Sequence, residues 1–428
     1  MEVDWEETTL GECAAWLSGG TPFKGNEAFW SGPIPWVSAK DMKSFRLHDA
    51  EDHISPLAVG NGGKLVPAGT ILLLVRGMTL HNDVPICMVT REMAFNQDIK
   101  ALRPAKNVDG AFLAYWLLAN KPELLASVDH AGHGTGRLVT DTLKEKHVLL
   151  PPLAEQKAIA AVLGALDDKI ELNRRMNATL EAMARALFQS WFVDFDPVRA
   201  KLDGRQPVGL DLSTAALFPG HFAHSEHDML PVGWRLAAIE EVCAINAWTL
   251  GKNDDLETLE YVEISEVNRG NISNISTYQR GEEPSRARRR LRHGDTALST
   301  VRPDRGSYVL VLNPPENRVA STGFAVLTPT KVPWSFLHAA LTQPEVSDHL
   351  GQMADGGAYP AVRPEVIGAM QVALPNEPEI LEAFHRTCAP LFEKAEANRS
   401  QSRNLATLRD TLLPKLLNGE LSVADLGN

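Results

Sequence analysis

Cysteines, long apolar runs and secretion signals are scarce in this 428-residue chain. Its four cysteines are scattered and form no CxxC pair, so neither a disulfide framework nor a zinc site is expected. No apolar run approaches the length of a membrane span, and the acidic N-terminus lacks the apolar core of a signal peptide. The composition, 44% hydrophobic and 22% charged, is that of a soluble globular protein, and the length allows two or three domains. The scattered cysteines indicate reduced thiols in a cytoplasmic protein.

Motifs of catalysis are also missing. The chain has no Walker loop and no GxSxG nucleophile motif. The segment Asn313–Glu316 resembles the tetrad of adenine methyltransferases, but glutamate stands where an aromatic ring would stack on the flipped base. We expect a turn there instead, between the strands Tyr308–Leu312 and Val319–Leu327. The glycines of Gly132–Gly136 follow a helix-like segment, which favours flexible backbone near a ligand phosphate over a dinucleotide-binding loop. These absences predict a non-enzyme; a self-sufficient DNA adenine methyltransferase is the alternative.

The net charge of -12 argues against simple attraction to nucleic acid, although phosphate contact requires only local positive potential. The densest basic run, Arg286–His293, provides such potential, and Arg302 and Arg305 follow it. Side chains alternate faces in an extended segment, so we expect Arg288, Arg290 and Arg292, or the opposite set, to face DNA phosphate. A basic strand exposed to solvent, without a role in DNA binding, is the alternative. A coiled-coil scaffold protein with no nucleic-acid role is a further alternative, but it would need no such arginine cluster.

The chain repeats one pattern after about 225 positions, far longer than the period of a solenoid repeat. Residues 65–76, LVPAGTILLLVR, return as residues 291–302, LRHGDTALSTVR, which makes Arg76 and Arg302 equivalent. A helix is expected over Ala111–Leu118 and again near Trp334–Leu341. Each copy ends in a Gly-rich loop, an apolar run and a long helix, so the chain should hold two similar modules. Contact with DNA is one predicted role for Arg76 and Arg302, and an ion pair that holds the sheet is the alternative.

Two long helices follow the modules, from Leu153 to about Phe192 and from about Glu377 to Leu417. Each has a heptad-like apolar stripe. The first stripe comprises Leu163, Leu166, Ile170, Asn173, Asn177, Leu180, Ala184, Leu187 and Trp191; the second comprises Cys388, Leu391, Ala395, Asn398, Ser402, Leu405 and Leu412. Asn173 and Asn398 are equivalent, and a buried asparagine can fix helix register. We expect the helices to pair with each other; packing of each on its own module is the alternative.

The segment from Asp196 to Leu230 has three prolines and little periodicity, so it is expected to be a connecting loop. His221, His224 and His227 lie there at three-residue spacing. A metal site would need further cysteine or carboxylate ligands, which do not accompany them, and the histidines therefore favour a solvated loop.

Specific motifs complete the sequence analysis. Residues 151–159 read PPLAEQKAI, residues 166–170 LDDKI and residues 190–195 SWFVDF, and this combination resembles the central conserved region of type I restriction–modification specificity subunits. Residues 230–234, LPVGW, resemble that family's entry into its second recognition domain, and residues 408–419, LRDTLLPKLLNG, its C-terminal signature. One departure is that the second helix has Glu377–Ile380 in place of the EQ dipeptide.

The resemblance implies an α+β protein with two target recognition domains and two long antiparallel helices. The expected bounds are 1–152 and 231–375 for the recognition domains, 153–195 and 376–428 for the helices, and 196–230 for the connecting loop. Such subunits are non-catalytic and read double-stranded DNA at a bipartite asymmetric site. They dock two methyltransferase subunits, which carry S-adenosylmethionine, and two restriction (motor–nuclease) subunits. The chain itself is expected to hold no cofactor and no metal.

Two sets of candidate site residues follow. The DNA-binding candidates are Lys24, Lys40, Arg76, Gln97, Arg137, Arg280, Arg286, Arg288, Arg290, Arg292, Arg302 and Arg305. The partner-binding candidates are Trp191, Phe192, Leu412 and Leu416, on apolar helix faces that we expect to be left for partner subunits to cover. A chain with such faces should be poorly soluble alone.

The helix length predicts the spacing of the DNA site. A helix of about 35 residues is roughly 50 Å long. Related modules on the same face of a duplex prefer centres about 34–36 Å apart. With half-sites of about 3–4 base pairs, as the family resemblance implies, the unread gap would be about 6–7 base pairs. Four residues inserted after Asn177 and after Ser402 should lengthen this gap by about two base pairs.

Overall fold

The computed structural model describes residues 5–129, 134–223, 229–251, 254–357 and 359–427. The chain forms two compact units. Unit 1 comprises Met1–Glu171 and Ser402–Asn428, and unit 2 comprises Leu172–Gln401. Each unit therefore contains one globular module together with part of each long helix.

Unit 1 contains two main sheets and four short helices. Its strands are β1 Glu6–Thr9, β2 Ala14–Ser18, β3 Ile34–Val37, β4 Arg46–Leu47, β5 Asp52–Ile54, β6 Leu65–Val66, β7 Ile71–Leu74, β8 Arg76–Gly77, β9 Ile86–Val89, β10 Met93–Phe95, β11 Ile99–Pro104, β12 Gly136–Arg137 and β13 His147–Leu150. Its short helices are α1 Leu10–Cys13, α2 Gly110–Ala119, α3 Lys121–Ala126 and α4 Thr140–Lys144. The sheet orders are β2-β11-β7-β9-β4 and β5-β3-β10-β6.

Local sequence explains the helix of this module. Asp109 caps α2, because its carboxylate accepts hydrogen bonds from the N–H groups of Ala111 and Phe112, both at 3.0 Å. The predicted helix over Ala111–Leu118 is confirmed. Helix α2 ends at Ala119, directly before this proline-containing segment, and Pro122 lies in the first turn of α3, where proline lacks only an N–H that the helix would not use.

Unit 2 repeats the architecture. Its strands are β14 Trp234–Ala238, β15 Cys243–Ile245, β16 Thr258–Val262, β17 Val267–Asn268, β18 Asn271–Ile272, β19 Ser276–Gln279, β20 Ala287–Arg290, β21 Thr296–Ser299, β22 Tyr308–Leu310, β23 Arg318–Ser321, β24 Phe324–Pro329 and β25 Gln371–Pro375. The sheet orders are β15-β24-β21-β22 and β19-β16-β23-β20. The module also contains helices α8 Ile239–Val242, α9 Trp334–Leu341, α10 Pro344–Gln352 and α11 Pro364–Gly368.

The duplication seen in the sequence is confirmed at the level of topology. In unit 1, β3 and β10 are the parallel pair at the centre of the four-stranded sheet, and β16 and β23 are the parallel pair of the corresponding sheet in unit 2. The run Val319–Leu327, expected to be one strand, is divided into β23 and β24 by a turn at Thr322 and Gly323. The turn at Asn313 is confirmed; its backbone is left-handed, with a φ of 47°.

The long helices are α5 Leu153–Phe188 and α12 Pro378–Leu417. In unit 2 they run antiparallel, since Asn173 contacts Asn398 and Gln401 while Asn177, one turn later, contacts Ala395. In unit 1, Asp167 of α5 accepts a 2.7 Å hydrogen bond from Arg409 of α12. The expected pairing of the two helices is therefore confirmed within each unit.

An aromatic cluster at the end of α5 overturns one expectation. A five-residue π-helical turn, Gln189–Val193, follows α5, and Trp191 and Phe192 on it are each only 2% exposed. They pack with Phe188, Phe336 and Phe384 in the core of unit 2. The expectation that these rings form an uncovered face is wrong, because the periodicity of the stripe does not reveal that Phe336 and Phe384 of the same unit cover it.

The same correction applies to α12. Leu416 is fully buried, and Leu412 is half-buried against the core of unit 1. Other apolar side chains of the long helices are exposed, among them Leu172 and Met183 on α5 and Leu408 on α12, each about half exposed.

The connecting segment contains more structure than expected. Helix α6, Asp196–Leu202, has proline in its first turn, and α7, Leu212–Leu217, is capped by Asp211 through a 2.9 Å bond from the Thr214 N–H. The description of the segment as a loop is thus wrong for these residues. His224 and His227 lie outside the described residues.

Three further properties concern composition. All four cysteines are buried and free, and burial raises the pKa of Cys87, Cys243 and Cys388 to about 12. Across the described ranges, no helix combines the length and the apolar character needed to cross a membrane. Within the same ranges, no group of histidine, cysteine and acidic side chains has the arrangement of a metal site.

Candidate nucleic-acid interface

In unit 1, a short two-stranded ribbon continues from the end of β7, the central strand of the five-stranded sheet. Strand β7 continues into β8, which pairs with β12, so that Arg76 lies directly opposite Arg137. The Leu138 N–H donates to the Val75 carbonyl at 2.9 Å and extends this ladder. The ribbon thus places two arginine side chains on one face.

Glycine makes this arrangement possible. A Cβ atom on Gly136 would lie 2.8 Å from the Leu80 Cβ and 3.0 Å from the Val128 Cγ1, so only glycine allows the close approach. The His81 ring lies 2.7 Å from the Gly134 carbonyl and ties the glycine loop to the turn after β8. Gly132 and His133, also part of the predicted loop, lie outside the described residues.

The two positive charges of the ribbon favour the binding of an anion between them. Arg76 and Arg137 are both exposed, and like charges directly opposite on antiparallel strands repel. Among the residues that the structure describes, no carboxylate forms an ion pair with either arginine. An ion pair through Arg76 that holds the sheet, the alternative derived from sequence, is not found within those residues.

Unit 2 has the equivalent ribbon with different side chains. Val301, next to Arg302, bridges to Ala361, and the Val362 N–H donates to the Thr300 carbonyl at 2.9 Å. Arg302 has a left-handed backbone, with φ 47° and ψ 57°, and its guanidinium carbon lies 4.9 Å from the centre of the Tyr359 ring. Sequence reasoning missed Tyr359, whose only signal was an aromatic residue beside the two glycines of the second loop.

The basic run Arg286–Arg292 is less free than its composition suggests. Arg288 pairs with Glu283 at 3.1 Å, and Arg290 pairs with Asp254 at 3.5 Å and with Glu316 at 3.3 Å. A β-bulge between Ala287 and Arg289 interrupts the expected alternation of faces. Acids distant in sequence thus offset part of the positive charge that the run was expected to present.

The remaining arginines of the run differ from these two. The guanidinium of Arg292 lies flat on Trp248, 3.3 Å from the ring centre. Arg289 is partly buried, which lowers its pKa. Arg286 is exposed at the start of the run, and Arg305 is exposed in the turn after β21.

The other DNA-binding candidates also divide into residues that form ion pairs and residues that are exposed to solvent. Lys40 pairs with Glu51 and Asp52 at 3.2 and 3.0 Å, and Arg280 pairs with Glu283 at 2.5 Å. Lys24 is exposed in the loop after Phe23, and Gln97 is exposed and hydrogen-bonded to Thr21. Lys24 and Gln97 are consequently the more accessible candidates of this group.

Contacts between motifs hold the module of unit 1 on the helix pair. Asp167 accepts hydrogen bonds from the Tyr115 hydroxyl at 2.6 Å and from Arg409 at 2.7 Å. Burial, followed by the bond to Asp167, raises the pKa of Tyr115 well above its usual range, so it remains a donor. The LDDKI and C-terminal motifs, far apart in the sequence, therefore meet at one carboxylate that fixes the module in place.

Similarity to known proteins agrees with this architecture. A type I restriction modification DNA specificity domain is recognised over residues 2–182. The specificity subunit of type I restriction enzyme MjaIX from Methanocaldococcus jannaschii is 26% identical over 444 aligned residues, covering 99% of this chain and 95% of that one. The specificity subunit of type I restriction enzyme HindI from Haemophilus influenzae is 25% identical over 471 residues, covering 98% and 100%.

A solved structure shares the fold. The crystal structure of the S subunit of a type I restriction–modification system from M. genitalium superposes with a TM-score of 0.56 at 15% identity. The match covers 97% of this chain and 96% of that one, so both copies of the repeat and both long helices lie within it.

Proposed function

We infer that this chain, which belongs to the family of type I restriction–modification specificity subunits, is the DNA-recognition subunit of such a complex. The observation that carries this inference is the duplicated ribbon. Each module continues an inner strand of a main sheet into a short ribbon with an arginine on it or directly after it: Arg76 opposite Arg137 in one copy, and Arg302 next to Val301 in the other. Two similar modules in one chain suit a DNA site with two parts.

The ribbon of unit 1 is proposed to contact the DNA backbone. Arg76 and Arg137 repel each other until an anion lies between them, and DNA supplies a phosphate charge every few ångströms. Arginine is well suited to this contact because its planar guanidinium can donate two hydrogen bonds to one phosphate. Such contacts give affinity and register, while base contacts give sequence preference.

The two halves of the DNA site are proposed to differ. The modules share their topology, but Arg137 of the first ribbon corresponds to Ala361 in the second, and Tyr359 occurs only in the second. Different side chains on the same backbone frame would select different bases, which gives the bipartite asymmetric site that the family resemblance implies.

The chain is proposed to act without catalysis of its own, in the cytoplasm, within a complex of one copy with two methyltransferase and two restriction subunits. The methyltransferase subunits would carry S-adenosylmethionine. Leu172 and Met183 of α5 and Leu408 of α12 support such docking, because they are large apolar side chains left about half exposed on the long helices.

The salt dependence of DNA binding tests the phosphate contacts. In the complex reassembled with methyltransferase subunits, Arg76→Gln with Arg137→Gln should flatten the slope of log affinity against log salt by about 2, since each phosphate contact contributes about 0.9. The matched control is Lys40→Gln with Arg280→Gln, which removes the same charge from side chains already engaged by carboxylates. An unchanged slope in the first variant, or an equal fall in both, would remove the ribbon from the DNA surface.

The alternative of a self-sufficient methyltransferase has its own assay. The lone chain, given DNA and tritiated S-adenosylmethionine, should transfer no methyl groups, whereas the complex should. Transfer by the lone chain would contradict the proposal. A scaffold without a DNA role predicts that the assembled complex binds DNA no better than the methyltransferase subunits alone.

A further inference from the structure

The Gly-rich segment of unit 2 forms a hairpin, of which the structure describes residues 355–357 and 359–361. Asp355 and Ala361 exchange hydrogen bonds, 3.0 Å from the Asp355 N–H and 2.8 Å from the Ala361 N–H. Gly356 and Gly357 have left-handed φ values of 120° and 58°, which their lack of a Cβ permits. The Tyr359 N–H donates to the Gly356 carbonyl at 3.2 Å and closes the tip.

Backbone bonds attach this hairpin to the sheet. The Arg302 N–H donates to the Pro360 carbonyl at 2.8 Å, and Ala361 bridges to Val301. These contacts hold Arg302 in a left-handed conformation that a residue with a Cβ rarely adopts. Conformations of this kind persist where surrounding structure imposes them, and they are concentrated at ligand-contacting sites.

Tyr359 is the exposed side chain at this tip. It is 72% exposed, although one side of its ring lies near the Arg302 guanidinium. Within the described part of the chain, its hydroxyl forms no hydrogen bond. A large ring in this position contributes little to the core of unit 2, whereas it offers a flat face and a hydroxyl to a ligand.

We propose that Tyr359, positioned by Arg302, contacts bases of one DNA half-site and determines specificity there. The inference rests on the proposed function, because it requires that unit 2 binds DNA. The hydroxyl can donate to or accept from a base edge, and the ring can pack against a base or a thymine methyl group. Arg302 fixes the ring on one side and contributes positive charge beside the phosphate backbone.

Comparison with the corresponding position of unit 1 supports a role for Tyr359 in the selection of DNA bases rather than in folding. There the equivalent ribbon carries Arg137 opposite Arg76, where unit 2 has Ala361 opposite Val301, and the sequence of the first loop, residues 130–136, contains no tyrosine. A ring that the fold required would be needed in both copies. The difference between the copies is therefore one of side-chain chemistry at an exposed edge.

The test uses the complex assembled with methyltransferase subunits and a library of DNA sites with every base varied. Methylation of each site is read by sequencing. We expect Tyr359→Ala to lower discrimination at one or two positions of a single half-site by about tenfold or more, the usual effect of a lost base contact. The other half-site should be unchanged. Tyr359→Phe separates the contribution of the ring from that of the hydroxyl, because this variant retains discrimination only if the ring makes the contact.

Leu212→Ala is the matched control, since Leu212 is 78% exposed in unit 2 but lies on α7, outside the module. It should leave both half-sites unchanged. If Tyr359→Ala assembles poorly, Tyr359→His keeps a ring at the tip and should change the preferred base. Equal weakening at all sites, or no change while the wild-type complex remains specific, would overturn this inference and leave the proposed function standing. A wild-type complex without sequence preference would instead contradict the proposed function.

Discussion

Gln156, the glutamine of the EQ dipeptide, connects the start of α5 to the module of unit 1. It is 1% exposed, and its side-chain oxygen accepts a 2.7 Å bond from the Asp109 N–H. Its amide nitrogen donates to the carbonyls of Asn107 and Pro151 at 3.0 and 2.8 Å. The second copy has no glutamine there, and Leu381, also buried, occupies the corresponding turn of α12.

Replacing Gln156 should therefore destabilise unit 1. Gln156→Leu keeps a side chain of similar volume but leaves one buried N–H and two carbonyls without their partner. We expect a loss of about 2–4 kcal/mol in the free energy of unfolding, because each buried unsatisfied group costs about 1–3 kcal/mol. Thermal unfolding of the assembled complex measures it. Gln352→Leu, at an exposed position on α10, is the control. Equal melting temperatures for the two variants would contradict this role.

At the scale of single residues, the sequence predicted which side chains carry charge better than it predicted which neighbours surround them. Arg76 and Arg302 were predicted as equivalent positions from the repeat, but the structure shifts the match by one residue: Val301 is paired as Arg76 is, and Gly77 and Arg302 each precede the 3-10 turn that follows. The ion pairs of Arg288 and Arg290 were not predicted, because their acids Glu283, Asp254 and Glu316 reach them only through the fold. Tyr359 was missed for the same reason, since its relation to Arg302 depends on hairpin geometry.

Among the elements, the long helices have a polar layer at their crossing in unit 2. The Asn398 amide donates to the Asn177 side-chain oxygen at 2.8 Å, and Asn177 donates to the Ala395 carbonyl at 2.9 Å. Asn173 donates to Gln401 at 2.9 Å. Asn173 and Asn398, 225 positions apart, are equivalent in the repeat and also face each other.

A double-mutant cycle on Asn177 and Asn398 measures what this layer contributes. Asn177→Leu alone should lower the melting temperature, because it leaves the buried Asn398 amide without its acceptor. The double variant Asn177→Leu with Asn398→Leu should lose less than the two single losses together, with a coupling of about 1–3 kcal/mol. Asn404→Leu, on an exposed part of α12, is the control. Strictly additive losses would show that the two side chains do not act as a pair.

The elements were predicted more completely than the site. Apolar periodicity and the loss of proline and glycine located the start of α5 at Leu153 and the pairing stripe. Strands β23 and β24 were merged in the prediction because a short turn at Gly323 interrupts neither hydrophobicity nor β propensity. The burial of Phe192 by α9 and of Trp191 by Phe384 of α12 could not be predicted, since a stripe defines which face is apolar and not what covers it.

For the whole molecule, we propose that the helix pair determines how many base pairs separate the two half-sites. Four residues add about 6 Å to a helix, which corresponds to about two base pairs. The contacts of the polar layer refine where the insertions belong. Asn177 faces Ala395, so insertions after Asn177 and after Ala395 lengthen both helices at one level. The layer of Asn173, Asn177, Asn398 and Gln401 then remains together.

The complex with both insertions should methylate the same two half-sites separated by a gap about two base pairs longer. Sequencing of methylated sites from a library with varied gaps measures this. Insertions after Asn177 and after Ser402 provide the control: they add the same length but move Asn177 and Asn398 out of register, so assembly should weaken. If the first variant assembles and still methylates only the original gap, helix length does not set the spacing.

The burial of all four cysteines makes the chain suitable for site-specific chemical labelling. Thiolate, not thiol, reacts with maleimides, and the raised pKa values keep Cys87, Cys243 and Cys388 protonated at neutral pH. A cysteine introduced at Val208, whose side chain is 94% exposed, would be the accessible sulfur that a dye modifies. Fluorophores could thus follow the encounter with DNA in single complexes without removing any native cysteine.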